Sequence, residues 1–95
     1  MKGSNMKLLK DFILRTVGGD SILVPIGKTS QEFNGVINLS ETAACIWSGL
    51  ENGLTPEEII NTITKEYDID TETASKDTHQ FIRELIANGF LEKDE

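Results

Sequence analysis

The sequence is short of the features that mark several protein classes. Its 95 residues include one cysteine, Cys45, so no internal disulfide can form and a reducing cytoplasm is the expected setting. No apolar run approaches the roughly 20 residues that cross a bilayer, and the lysine-bearing start lacks the apolar core of a signal peptide, so we expect neither membrane nor secretion. With 9 Lys and Arg against 16 Asp and Glu, the net charge of −7 argues against a nucleic-acid partner.

The sequence also lacks a catalytic or metal-binding motif. Its one histidine, His79, has no second histidine or cysteine at ligand spacing. Cys45, which stands between alanine and isoleucine, is typical of a small buried apolar residue. The pair Gly18-Gly19 lacks the helix and lysine that follow in phosphate-binding loops. We therefore expect no enzyme activity, no cofactor and no metal.

The first half of the chain has the pattern of a small sheet. Residues 12–17 and 21–24 are rich in β-branched and apolar residues and flank Gly18-Gly19-Asp20, which predicts a β-hairpin. A polar loop is expected over residues 27–31. Residues 33–39 then alternate between apolar and polar side chains, the period of a half-buried strand. The sequence thus predicts a three-stranded antiparallel sheet.

The second half is predicted to form three helices, each preceded by a residue suited to capping. Ser40 precedes a helix over residues 41–51, Thr55 opens a second helix, and Asp70 precedes a third over residues 71–88. The fold class is therefore α+β, a three-stranded antiparallel sheet followed by three helices. This order resembles a winged helix-turn-helix whose strands have moved to the front.

The length and polarity of the ends predict one domain. Residues 1–10 are polar and are expected to form a flexible N-terminal lead-in. Residues 11–92 are expected to form the domain itself, and residues 93–95 an acidic tail. We expect a monomer or a weak dimer.

Because the sequence lacks a reactive group, the third strand is the best candidate for a functional surface, one that binds a partner. A sheet of three strands has two open edges, and an extended peptide can add to one of them by main-chain hydrogen bonds. Gly35 suits close approach of a second backbone. Apolar residues of the third strand and third helix would then line a groove, or they are simply core: Phe33, Ile37, Phe81, Ile82 and Leu85. A winged-helix DNA-binding or regulatory domain is the alternative function.

Three segments, taken together, are similar to a known family. They are NGVINLSETAACIW (34–47), TPEEIINTITKEYDI (55–69) and DTHQFIRELIANGFLE (77–92). In order and spacing they resemble the PqqD-like family, named after pyrroloquinoline quinone biosynthesis protein D and also called the RiPP recognition element. Ser40 stands where members commonly have asparagine, a change that preserves capping.

The resemblance implies a non-catalytic peptide chaperone. Family members bind the leader of a ribosomally made precursor peptide as an extra antiparallel strand, and present it to a maturation enzyme, often a radical S-adenosylmethionine enzyme. Asp77 matches an aspartate of the family's terminal helix. By this resemblance the peptide-binding residues are those of the accepting strand and the helix wall: Phe33, Asn34, Gly35, Val36, Ile37, Asn38, Thr78, Phe81, Ile82 and Leu85.

Overall fold

The computed structural model describes residues 6–93 as an α+β domain, in agreement with the predicted fold class. The helices lie behind a three-stranded sheet, and a second, two-stranded sheet joins the two ends of the described chain. No helix among these residues is long and apolar enough to cross a membrane. The elements in chain order are β1 (Met6–Leu8), β2 (Phe12–Val17), β3 (Asp20–Pro25), α1 (Thr29–Glu32), β4 (Ile37–Leu39), α2 (Glu41–Glu51), α3 (Pro56–Tyr67), α4 (Thr71–Ala87) and β5 (Leu91–Lys93).

The three-stranded sheet has the order β2-β3-β4, and both pairs are antiparallel. Val17 pairs with Asp20, so the hairpin turn consists of Gly18 and Gly19 alone. Their φ angles of +57° and +88° are those that a two-residue hairpin turn requires, and glycine adopts them without a steric cost. The predicted hairpin is confirmed. On its other side β3 pairs with β4, where Leu23 lies opposite Ile37.

The three predicted helices correspond to α2, α3 and α4, and each has the predicted cap. The Ser40 hydroxyl accepts the backbone N–H three residues on at 3.1 Å, and the Asp70 carboxylate does the same at 3.2 Å. At α3 the Thr55 N–H donates to the Glu58 carboxylate at 2.8 Å, while the Glu58 N–H donates to the Thr55 hydroxyl at 3.2 Å. These bonds satisfy N–H groups that have no partner within the helix, so they fix where each helix begins.

The prediction of a flexible lead-in over residues 1–10 is wrong for residues 6–8. These form β1, which pairs antiparallel with β5 in the register Met6 to Lys93 and Leu8 to Leu91. The physical reason is burial: Leu91 is fully buried and Leu8 packs against the core beside it. Residues 1–5 of the predicted lead-in and residues 94–95 of the predicted tail lie outside the described residues, and Lys93 belongs to β5.

The third strand is shorter than the alternating pattern predicts. A turn of helix, α1, occupies residues 29–32 within the predicted polar loop, and β4 begins only at Ile37. Gly35 has a φ of +96°, a left-handed conformation that a continuous strand cannot contain. The alternation over residues 33–36 therefore has another cause: Phe33 points into the core from a connecting segment.

An aromatic cluster ties the sheet to the helices. The Phe12 ring lies against Phe33, Trp47 and Phe90, with centroid distances of 5.7, 5.9 and 5.2 Å. Such pairs add stabilisation beyond the area they bury, about 0.5–1.5 kcal/mol each. Trp47 is fully buried on α2, and Phe90 follows α4, so the cluster fixes β2 and the segment before β4 relative to both helices.

Candidate functional site

The free edge of β4 is the feature from which the candidate site is built. β4 is the last strand of its sheet, and its pairing with β3 uses only one side of its backbone. Alternate residues of an edge strand direct their N–H and C=O groups away from the neighbouring strand. Within residues 6–93, no strand pairs with this side of β4. The edge therefore offers main-chain hydrogen bonds to an added strand.

A groove runs between this edge and α4, and it has two chemically different halves. Leu39, Phe81 and Glu84 line both halves and mark where they meet. The apolar half adds the side chains Leu23, Ile37, Leu85, Asn88 and Phe90. The polar half extends past the start of α2 and adds Asn38, Ser40, Thr42, Ala43, Ile46, Asp77 and Gln80. An extended chain lying along β4 would contact both halves.

The sequence of α4 produces this wall by helical spacing. Asp77, Phe81, Glu84 and Asn88 recur at intervals of four, three and four residues, which places them on one face. The buried residues follow a second stripe beside the first: Ala74, Thr78, Ile82 and Leu85. The helix thus presents one face to the core and a neighbouring face to the groove.

The structure brings together some of the predicted peptide-binding residues. Ile37, Asn38, Phe81 and Leu85 line the groove. Thr78 and Ile82 are 0% and 6% exposed and line neither half, so they support the wall from within the core. The segment that precedes β4 contains the rest: Phe33, Asn34, Gly35 and Val36. Phe33 belongs to the aromatic cluster, whereas Val36 is half exposed. Contact of these residues with a peptide stays a prediction.

Several lining residues were missing from the sequence-based prediction. These are Leu23, Leu39, Ser40, Thr42, Ala43, Ile46, Asp77, Gln80, Glu84, Asn88 and Phe90. A signal for three of them was available, because Gln80, Glu84 and Asn88 lie at helical spacing from Asp77 or Phe81. The prediction followed the apolar residues of the helix and therefore favoured the core face over the groove face.

The chain also matches a known protein family over the elements that form the strand edge and the groove. The family model described as Coenzyme PQQ synthesis protein D (PqqD) matches residues 20–91. The chain belongs to the PqqD family. The match begins at β3 and ends at the first residue of β5, so it includes β4, α4 and the groove between them. None of the curated proteins matches the chain significantly.

Two solved structures resemble this PqqD-family chain over nearly its whole length. One is described as TbiB1 in complex with the TbiA(beta) leader peptide. It is 28% identical with a TM-score of 0.68, and the match covers 90% of this chain and 94% of that one. The other is described as lasso peptide synthetase B1 complexed with the leader peptide. It is 20% identical with a TM-score of 0.69, covers 94% of this chain and 99% of that one, and shows the fold alone.

A larger cavity of about 640 Å³ lies on the other side of α2 in this PqqD-family chain. Cys45 and Tyr67 line it together with the hairpin residue Leu14. Burial, and to a smaller extent the Glu66 carboxylate, raises the pKa of the Cys45 thiol above its ordinary value. A raised pKa lowers the thiolate fraction near neutral pH, which is the opposite of what activates a nucleophilic cysteine.

We expect Cys45 to alkylate with iodoacetamide more slowly in the folded chain than in the unfolded one. The thiolate is the reacting species, so the rate should rise with pH, and its midpoint should lie above that of the same thiol in concentrated guanidinium chloride. The measurement is the alkylation rate of Cys45 by mass spectrometry across the pH range. A folded-state midpoint below the unfolded one would contradict the prediction and would indicate an activated thiol.

Proposed function

We propose that this PqqD-family chain is a non-catalytic peptide chaperone. It binds the leader of a ribosomally made precursor peptide along β4 and presents that peptide to a maturation enzyme. The observation that carries the proposal is the free edge of β4 beside the groove of α4. Strand addition obtains affinity from main-chain hydrogen bonds and specificity from the pockets that receive alternate side chains.

The apolar half of the groove supports an extended peptide as the ligand. The partly buried apolar side chains of this half form a surface that an apolar anchor of the peptide would remove from water: Ile37, Leu39, Phe81 and Phe90. Burying one aliphatic or aromatic side chain contributes about 1.5–3 kcal/mol. A three-residue strand alone offers few main-chain bonds, so the groove would supply much of the affinity.

The similarity to TbiB1 supports a leader peptide as the class of ligand. That protein is described in complex with a leader peptide, and the likeness covers 90% of this chain at 28% identity. The family match over residues 20–91 includes the elements that form the groove. We therefore assign a leader peptide, rather than an arbitrary extended chain, to β4.

Presentation implies a second partner. In this proposal the chain holds the peptide, and a separate maturation enzyme, such as a radical S-adenosylmethionine enzyme, carries out the covalent chemistry. In keeping with this division of labour, burial raises the pKa of the Cys45 thiol, which disfavours a nucleophilic role.

Hydrogen exchange on isotope-labelled protein tests the binding mode. The probe is a synthetic peptide with the leader sequence of a short precursor gene, which is first to be sought in the genome around the gene for this chain. At saturation we expect amide protection of one or two residues within Ile37–Leu39, because the outward N–H groups gain partners. Chemical-shift changes should extend to Phe81 and Glu84 on α4 and be small at the hairpin turn.

The same titration contains the result that would overturn the proposal. Shifts confined to the cavity between α2, α3 and the hairpin, with unchanged exchange at β4, would rule out strand addition on β4. Absence of binding at peptide concentrations up to the millimolar range would contradict leader recognition itself. The sole tryptophan, Trp47, gives an independent fluorescence readout, since Phe12 connects it to the groove residue Phe90.

A further inference from the structure

The helix α4 separates its charges by face. Its groove face carries the carboxylates Asp77 and Glu84, seven residues apart. The basic side chains of the helix lie elsewhere on its exposed surface, at Lys76, His79 and Arg83, and none of them lines the groove. No Lys, Arg or His from any other described element lines either half. The charged side chains that α4 presents to the groove are therefore acidic, although the helix carries basic side chains elsewhere on its surface.

Neither carboxylate has an ion-pair partner among residues 6–93, where the one ion pair joins Lys10 to Glu32. The Glu84 carboxylate accepts a long hydrogen bond of 3.5 Å from the side-chain amide of Gln80. An added peptide strand would cover part of the groove and remove water from these carboxylates. Such burial is unfavourable for an unpaired charge and favourable for one that meets a cation.

We infer that the groove selects a leader that carries a lysine or arginine on the same face of the strand as its apolar anchor. The inference rests on the proposed function and names the chemistry of its peptide. The anchor lies in the apolar half, and the basic side chain reaches Asp77 or Glu84 in the polar half. Glu84, where the halves meet, is the nearer partner for a residue next to the anchor on that face.

The spacing within the peptide follows from helix and strand geometry. Asp77 and Glu84 are separated by about 10 Å along α4, at 1.5 Å per residue. Side chains on one face of a strand recur every ~6.6 Å. With the anchor in the apolar half, a basic residue two positions away reaches Glu84, and one four positions away reaches toward Asp77. Because exposed ion pairs are weak, each carboxylate should favour the basic peptide by about two- to fivefold.

A randomised peptide display library tests the inference without knowledge of the natural leader. The library is selected in parallel against the wild-type chain and against the double variant Asp77→Asn/Glu84→Gln. We expect wild-type selection to enrich Lys or Arg at two or four positions from an apolar residue, and the variant to lose that enrichment. The preference should also weaken at high salt, since these charges are near the surface.

A second double variant controls for the overall negative charge of the chain. Glu51→Gln/Glu72→Gln removes the same two charges at exposed positions that do not line the groove. Selection of the library against this variant should enrich basic residues at the same spacing from the apolar residue as selection against the wild type. An equal loss in both double variants would show that net charge alone selects basic peptides, and would overturn the inference.

The outcomes separate this inference from the proposed function. Peptides that bind β4 and compete with the leader, but show no basic preference, would overturn the inference and leave strand addition intact. Failure to enrich any peptide, together with failure of the leader to bind, would overturn both. Selection by Asp77→Lys/Glu84→Lys should reverse the preference toward Asp and Glu at the same positions, which a structural role of these side chains would not produce.

Discussion

Replacing Phe81 by alanine should weaken leader binding by about 2 kcal/mol, roughly 30-fold in Kd. Phe81 lines both halves of the groove and is partly buried, so its ring is the largest side chain that a peptide on β4 would cover from the helix side. Aromatic side chains at the centre of an interface commonly dominate the binding energy. The measurement is isothermal titration calorimetry with the same synthetic leader peptide as in the exchange experiment.

Ile86→Ala is the matched control for this variant. Ile86 is also a large apolar residue of α4, but it is 38% exposed and does not line the groove. Its replacement should leave Kd unchanged within about twofold. Thermal unfolding of both variants shows whether each is folded at the temperature of the titration. If Phe81→Ala is folded and binds as tightly as the wild type, α4 is not the wall of the peptide site.

Gly49→Ala should destabilise the chain by about 1–2 kcal/mol, although alanine is the better helix former. Gly49 is buried in α2, and a Cβ placed there would lie 2.7 Å from Cγ1 of Ile59. Ile59 is 1% exposed on α3, and the contacting Cγ1 lies near the base of its side chain rather than at its flexible end, so the side chain must change rotamer or α3 must shift. Because 2.7 Å is well inside van der Waals contact, the overlap falls in the upper part of the usual range for overpacking, about 2–3 kcal/mol, and outweighs the gain of about 1 kcal/mol in helix propensity. Gly49→Leu should cost more, about 3 kcal/mol.

Removing the obstructing side chain gives the control for Gly49. Ile59→Ala alone should cost about 2–5 kcal/mol through the cavity it leaves. In that background Gly49→Ala should become neutral or stabilising, because only the propensity gain remains. Chemical denaturation of the four proteins measures the cycle. Stabilisation by Gly49→Ala in the wild-type background would contradict the packing explanation.

The features predicted correctly from the sequence depend on neighbours along the chain. The hairpin needs only the glycine pair between two β-branched runs, and each helix start needs a cap three residues from its partner. The Thr55 capping box is determined by four consecutive residues. Such short-range interactions leave the same pattern in any fold, so they can be predicted without knowledge of the tertiary structure.

Features that depend on distant parts of the chain were not predictable in this way. β1 is three residues long, and its partner β5 lies more than 80 residues later, so neither strand has a period long enough to detect. Residues 6–8 are apolar, charged and apolar in turn, but three residues are too few to indicate a strand, and nothing near them in the sequence indicates β5 as the partner. The extent of β4 was overestimated because Phe33 mimics strand alternation while packing into the aromatic cluster beyond the bend at Gly35.

The candidate site was also predictable only in part. The sequence indicated the two elements between which the groove lies, the third strand and the third helix, because an edge strand and an apolar helix face can be recognised separately. It did not indicate which of two neighbouring stripes on α4 faces the strand. Thr78 and Asp77 are adjacent in sequence and differ by about 100° around the helix axis, and only the packed structure assigns one to the core and the other to the groove.

The pairing of β1 with β5 has a consequence for how this domain is joined to other proteins. Met6 lies opposite Lys93, so the chain enters and leaves the described fold at points one strand spacing apart, about 5 Å. An enzyme fused before β1 or after β5 would start from the same pole of the domain, and its distance to the groove would be nearly the same. The domain is equally suited to insertion into a surface loop of a larger protein, whose two ends it would hold together.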